Sequence, residues 1–218
     1  MAMRIVQPLR SSTTTLVMTT LVMILLAGTV AESHRAALDR GSNDAVPPGY
    51  STAVTGGIHD FDFYSGAWTV RSRGLKARNV GSKDWKKFSS TICVTSYLNG
   101  GANVSEMYSP ALANSGLTLR TFDLKKRQWE VHYVSGKTGQ VDAAMFGGFD
   151  GTQGRFFGED VDDSQPIKVR IVWTKTDHDH VHWEQAFSYD NRTWETNWLS
   201  DMTRANPSTT CEDGHPRH

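Results

Sequence analysis

From residue 128 onward the chain repeatedly alternates aromatic or aliphatic residues with charged or polar ones, one position at a time. Trp129, Val131 and Tyr133 are separated by Glu130 and His132, and Val169, Ile171 and Trp173 alternate with Lys168 and Arg170. Trp183, Gln185 and Phe187 alternate with Glu184 and Ser188, and Trp194, Thr196 and Trp198 with Glu195 and Asn197. Successive side chains of a strand point to opposite faces, so this pattern gives each segment one aromatic face and one polar face. A helix would mix the two sets around its circumference. The pattern therefore restricts the chain to antiparallel sheets with one dry side.

Short alternating runs punctuated by turn residues extend through the rest of the domain. Strands are expected at Trp68–Leu75, Phe88–Leu98, Ala102–Tyr108, Gly116–Leu124 and Gln128–Ser135. Further strands are expected at Val141–Phe149, Phe156–Asp160, Ile167–Thr176, Val181–Tyr189 and Thr193–Thr203. Asn99-Gly100-Gly101 and Asp150-Gly151 mark tight turns between them. About ten strands at roughly 8–12-residue spacing indicate a sandwich or barrel, and the absence of any long 3.6-residue period excludes a βαβ architecture. Short consecutive connections favour an up-and-down meander, which loses its exposed edges by closing. The expected fold is all-β, a single antiparallel up-and-down β-barrel. The 7 Trp and 19 Gly among 218 residues suit aromatic strands joined by tight turns.

The N-terminus carries a different signal. Arg4 and Arg10 precede an apolar stretch from Leu16 to Val30, and Thr29-Val30-Ala31 places small residues where a signal peptidase reads. That order is the secretory signature, with cleavage expected after Ala31. The apolar stretch is short for the ~20 residues of a membrane span, so no stable membrane insertion is expected after cleavage. The expected organisation is a signal peptide over 1–31, a flexible linker over 32–57, the barrel over 58–204 and a flexible tail over 205–218. The location implied is secreted or periplasmic. Such a compartment permits disulfides, and Cys93 and Cys211 are the two cysteines available; they form one bridge or remain two thiols. Asn103-Val104-Ser105 and Asn191-Arg192-Thr193 fit the N-glycosylation sequon. Lys plus Arg and Asp plus Glu both number 23, so the basic excess of a nucleic-acid binder is missing.

In a closed barrel the apolar faces point inward. Barrels wider than about eight strands leave room for one small ligand. The residues expected around such a ligand are Trp129, Tyr133, Trp173, Trp183, Trp194 and Trp198, with Gln185 and Thr196 as inward polar groups. Arg120 lies in Leu117-Thr118-Leu119-Arg120-Thr121-Phe122, where both faces carry apolar residues. If it points inward it needs an anionic partner, since an unpaired buried charge costs too much. A ligand carboxylate, Glu184 or Glu195 would serve.

Gly66-Ala67-Trp68, opening the first strand, resembles the calycin superfamily, the lipocalins and their relatives. The resemblance implies that Trp68 closes one barrel end beneath a basic residue near the last strand, a role open to Arg204. Five further segments are similar to the lipocalin-like DUF1579 family. They are Phe61-Asp62-Phe63, Leu119 to Asp123 before Trp129, Gly147 to Gly151, Trp183 to Ser188, and Trp194 to Trp198. This likeness spans Ile58 to Arg204 and implies a calycin-type barrel, with no established catalytic role to carry onto these residues.

Other clusters point less directly to chemistry. His178, His180 and His182 would chelate Zn or Cu from a strand, but they fall where a hairpin turn is expected. His59 and His132 are lone histidines without a haem-attachment motif, although nitrobindin-like relatives of this fold class bind haem through a histidine. Glu159, Asp160, Asp162 and Asp163 lack the spacing of a Ca²⁺ loop. The sequence thus predicts an exported barrel that binds a small, partly apolar molecule, with no cofactor and no resident metal. The alternatives are a lipocalin-like cyclase, isomerase or hydrolase using the same cavity, a haem or metal barrel, and a filled barrel that recruits a protein partner.

Overall fold

The computed structural model describes residues 45–112 and 114–217; the expected signal peptide and the first part of the expected linker lie outside them. Ten strands follow in chain order: β1 (Gly66–Leu75), β2 (Trp85–Tyr97), β3 (Ala102–Ser109), β4 (Asn114–Asp123), β5 (Gln128–Ser135), β6 (Met145–Asp150), β7 (Gln153–Asp162), β8 (Gln165–Lys175), β9 (His180–Ser188) and β10 (Glu195–Ala205). Each pairs antiparallel with its sequence neighbours, and β1 pairs with β10 from Ala67↔Ala205 to Gly74↔Trp198. The sheet is a closed, up-and-down, ten-strand barrel, the calycin-like architecture expected. Closure removes every free edge that a meander would leave unpaired.

Most strands form where the alternation places them. Several boundaries move. Val141 makes only an isolated bridge to Val134, and β6 starts at Met145. The β8–β9 turn spans residues 176–179, so His180 joins His182 in β9. The turn after Tyr97 reverses the chain through left-handed backbone at Asn99 (φ 52°) and Gly100 (φ 91°), which asparagine and glycine adopt at low cost.

The barrel has a closed end and an open end. At the closed end, a 3-10 turn at Asp62–Tyr64 plugs the lumen. Phe61 is 1 % exposed and meets Trp129, Phe149 and Trp173 edge-on, at centroid distances of 4.9, 5.2 and 5.6 Å. Trp68 is fully buried and donates from Nε1 to the Tyr64 carbonyl. Arg204 stacks 4.4 Å above the Trp68 ring and donates to the carbonyls of Ser65 and Phe63. The open end carries the β1–β2, β3–β4, β5–β6, β7–β8 and β9–β10 connections.

Both segments expected to be flexible pack on the barrel where they are described. Residues 45–57 form a strap across its outside. Pro47 is buried, the Tyr50 ring meets Phe157 edge-on at 5.5 Å, and Trp194 Nε1 donates to the Pro48 carbonyl. Gln128 Nε2 donates to the carbonyls of Thr52 and Val54, and the Gly56 amide donates to the Arg127 carbonyl. A Cβ on Gly148 would lie 2.5 Å from the Thr55 carbonyl, so the strap rests on bare backbone there. The tail folds as a short helix, α1 (Pro207–Thr210), and a two-stranded hairpin, β11 (Cys211–Glu212) and β12 (His215–Pro216). Cys93 and Cys211 form a disulfide that fixes this hairpin to the outer face of β2. His215 Nδ1 meets Glu106 at 2.6 Å on β3.

Candidate functional site

Strand register determines which side chains enter the lumen. The pairs Trp68↔Ile92, Val70↔Ser90 and Ser72↔Phe88 put one face of β1 and β2 inside. The same parity carries Asn103, Ser105 and Met107 of β3 and Thr118 and Arg120 of β4 inward. It also turns Trp129, Val131 and Tyr133 of β5 inward, along with Ile171 and Trp173 of β8 and Trp183, Gln185 and Phe187 of β9. These residues form two levels. Those near the closed end are fully buried, whereas Met107, Thr118, Tyr133, Ile171, Trp183, Gln185 and Phe187 are only half-buried although they face the interior. Among the described residues the lower half is solid, and the upper half is only partly filled, by residues such as Phe88, Ile167 and Val169.

Arg120 lies at the top of the solid half. Its guanidinium donates from one NH to Asn103 Oδ1 and Ser105 Oγ, each at 3.0 Å. Its Cζ lies 5.1 Å from the Tyr64 ring, 5.3 Å from Phe61 and 5.6 Å from Trp173. Burial disfavours the charged form and lowers the Arg120 pKa, with Tyr64 opposing that shift; burial also raises the Tyr64 phenol. Neither expected protein counter-ion is available. Glu184 lies on the outer face, where it accepts from Arg170 and Thr196, and Glu195 accepts from the Asn79 amide. Among the described residues no carboxylate pairs with Arg120, and neutral acceptors and three ring faces hold the cation instead.

Above this floor, at the mouth, is a cavity of about 420 Å³. Phe88, Phe187, Trp198, Leu75 and Leu112 form its apolar walls, and Phe88 meets Trp198 edge-on at 5.0 Å. Gln185 Nε2 donates to Asn197 Oδ1 at 3.0 Å, while the buried Asn197 Nδ2 has no hydrogen-bond partner among the described residues. Lys76, Arg78, Lys86 and Asp162 complete the rim. Arg78 donates to both carboxylate oxygens of Asp162, at 2.9 and 2.5 Å, and the Tyr189 hydroxyl donates to the same group at 2.7 Å. Arg78 is the main cause holding the Asp162 carboxyl below its ordinary range; burial raises the Tyr189 phenol, and Asp162 adds to that rise. The β1–β2 loop is thus latched across the mouth by Arg78–Asp162 and by Asn79, which donates to Glu195 and to Gln165.

The residues expected around a ligand separate into groups. Gln185 and Trp198 line the cavity, Tyr133 faces the lumen beyond Val131, and Trp183 pairs with Trp173 and packs against the floor. Arg120, Trp129 and Trp173 belong to the sealed floor. Trp194 and Thr196 face outward, against Arg170 and Glu184 respectively. The cause is a β-bulge in β10 between Thr196 and Trp198, which the uniform period-two reading did not include. A bulge adds one residue to one strand, so Trp198 turns inward while Trp194 and Thr196 stay outside. The same bulge buries Asn197, which strict alternation assigned to the polar face. Phe88, Lys76, Arg78 and Lys86 were missed because they sit at or beyond the strand ends that alternation defines. Phe187 was legible, as it continues the Trp183–Gln185 series.

The histidines have other partners. His178, His180 and His182 bond to Asp179, Asp177 and Asp201, three separate carboxylates. His59 bonds to Asp62, and His132 to Glu130 on the outer face. Asn103 is 1 % exposed and bound to Arg120, so its sequon lies inside the barrel, whereas Asn191 is in the β9–β10 turn. No protein-family model matches the chain, and neither does any curated protein.

Proposed function

We propose that the protein is an exported carrier or receptor that binds a small, partly apolar molecule in the cavity at the open end of the barrel. The observation that carries this reading is the half-filled lumen. Ligand sites are concave, mostly apolar and about 300–1,000 Å³ in volume, with a few oriented polar groups. The cavity has that size, three aromatic walls and the Gln185–Asn197 amide pair. A barrel serving only as a scaffold would gain by packing its upper half as tightly as its lower half.

The cavity's chemistry favours binding over turnover. Its carboxylate, Asp162, is held ionised by Arg78 and has both oxygens occupied, so it is poorly placed to take up a proton from a bound molecule. The N-terminal basic and apolar segments support export, as does a disulfide that needs an oxidising compartment. The Trp68–Arg204 stack and the ten-strand closure support a place among lipocalin-like proteins of the DUF1579 kind.

Native mass spectrometry on protein expressed as the full chain into an oxidising compartment tests the reading. The expected result is a non-covalent adduct that disappears on denaturation and is lost in Trp198→Ala. Protein without any adduct, whose tryptophan fluorescence also stays unchanged across a broad metabolite panel, would overturn it.

A further inference from the structure

We propose that the molecule bound at the mouth is a small monocarboxylate with a flat or linear apolar body. This inference rests on the cavity being the ligand site and adds the charge of what it binds. Three cations, Lys76, Arg78 and Lys86, face one carboxylate, Asp162, around the cavity. Asp162 is already saturated by Arg78 and Tyr189. Lys76 and Lys86 form no ion pair among the described residues, and their positive charge is left for the cavity's occupant.

The buried amide points the same way. Asn197 is 4 % exposed, its oxygen is taken by Gln185, and its Nδ2 donor meets no acceptor among the described residues. A buried donor without an acceptor is costly, and a ligand oxygen that shifts the Gln185–Asn197 pair enough to accept from it would remove that cost. A cationic ligand would find Asp162 occupied and two ammonium groups repelling it. A neutral apolar ligand would leave the Asn197 donor unmatched.

Orientation follows from the neighbouring cleft. On the other side of Phe187 lies a smaller cavity of about 220 Å³ that includes Asp190 and Glu195. Its negative charge disfavours an anion there, so the carboxylate belongs on the Lys76–Lys86 side and the apolar body against Phe88, Phe187 and Trp198.

Isothermal titration of the full, disulfide-bonded protein against matched acid and amide pairs tests this. Benzoate and benzamide, 3-phenylpropionate and 3-phenylpropionamide, and octanoate and octanamide share shape and differ in charge. At least one acid is expected to bind tenfold or more tightly than its amide. That gap should close in Lys76→Met/Lys86→Met, which keeps side-chain length at exposed positions and so keeps the fold, checked by far-UV circular dichroism. Equal binding of acids and amides would sink the charge inference while leaving the cavity as a ligand site. Binding of neither, with a neutral adduct found by native mass spectrometry, would also sink it and leave the ligand site standing. Binding of neither and no adduct would remove both.

Discussion

Arg120 shows how a charge can be kept in a barrel floor without an opposite charge. Desolvating a guanidinium is costly, and here the return comes from two hydrogen bonds and three ring faces. Asn103 and Ser105 are therefore structural despite being polar and buried. Replacing Asn103 with leucine removes an acceptor from a buried cation and should cost about 2–4 kcal/mol, given the weight of hydrogen bonds to charged groups. Urea unfolding followed by tryptophan fluorescence would report it as a lower midpoint with unchanged slope. An unchanged midpoint would mean that Ser105 and the rings suffice to hold the cation. At this scale the sequence showed that Arg120 needs a partner; it did not show which, because the partners are neutral groups two strand positions apart on β3.

Register and its one interruption decide what the elements present. The β10 bulge moves a single residue out of phase and thereby separates Trp194, on the outside, from Trp198, in the cavity. The tail hairpin contributes a pH-sensitive contact. Hydrogen bonding to Glu106 raises the His215 pKa above its ordinary 6.5, and the Glu106 charge reinforces the rise. A raised folded-state value means that docking binds the proton more tightly than the free tail does. The contact is therefore fully present below pH 6.5 and lost as pH rises through the shifted value. The Cys93–Cys211 bond remains, so the loosening is confined to the hairpin. An NMR titration should find the His215 midpoint above that of an exposed histidine and returned to the ordinary value in Glu106→Gln. A His215 midpoint insensitive to that substitution would rule the contact out.

For the whole molecule, two long-range links hold the ends of the domain. One is the β1–β10 seam; the other is the disulfide, which joins positions 118 residues apart in sequence. A cross-link over so long a loop is worth roughly 2–5 kcal/mol, mainly through the unfolded state. Cys93→Ser/Cys211→Ser should accordingly lower the unfolding free energy by that amount, seen as a lower denaturation midpoint, while the seam keeps the barrel closed. Equal midpoints for wild type and variant would show that the tail constrains nothing beyond itself. The strap and tail also cover outer-face residues that a bare barrel would expose, including Ala67, Cys93 and Phe157.

The sequence by itself determined the all-β class, the near-complete set of strands and the inward placement of Trp129, Trp173, Trp183 and Gln185. Those follow from period-two alternation, a local property written residue by residue. Tertiary structure decided the rest. The strap docks largely through backbone carbonyls at Pro48, Thr52 and Val54, which every residue type carries and no side-chain pattern reveals. Among the described residues, Phe61 and Tyr64 fill the closed end of the lumen, and the open end is filled only in part, which leaves the cavity at the mouth. Its cations come from one hairpin, β1–β2, and only closure of the barrel sets them against Gln185, Phe187 and Trp198.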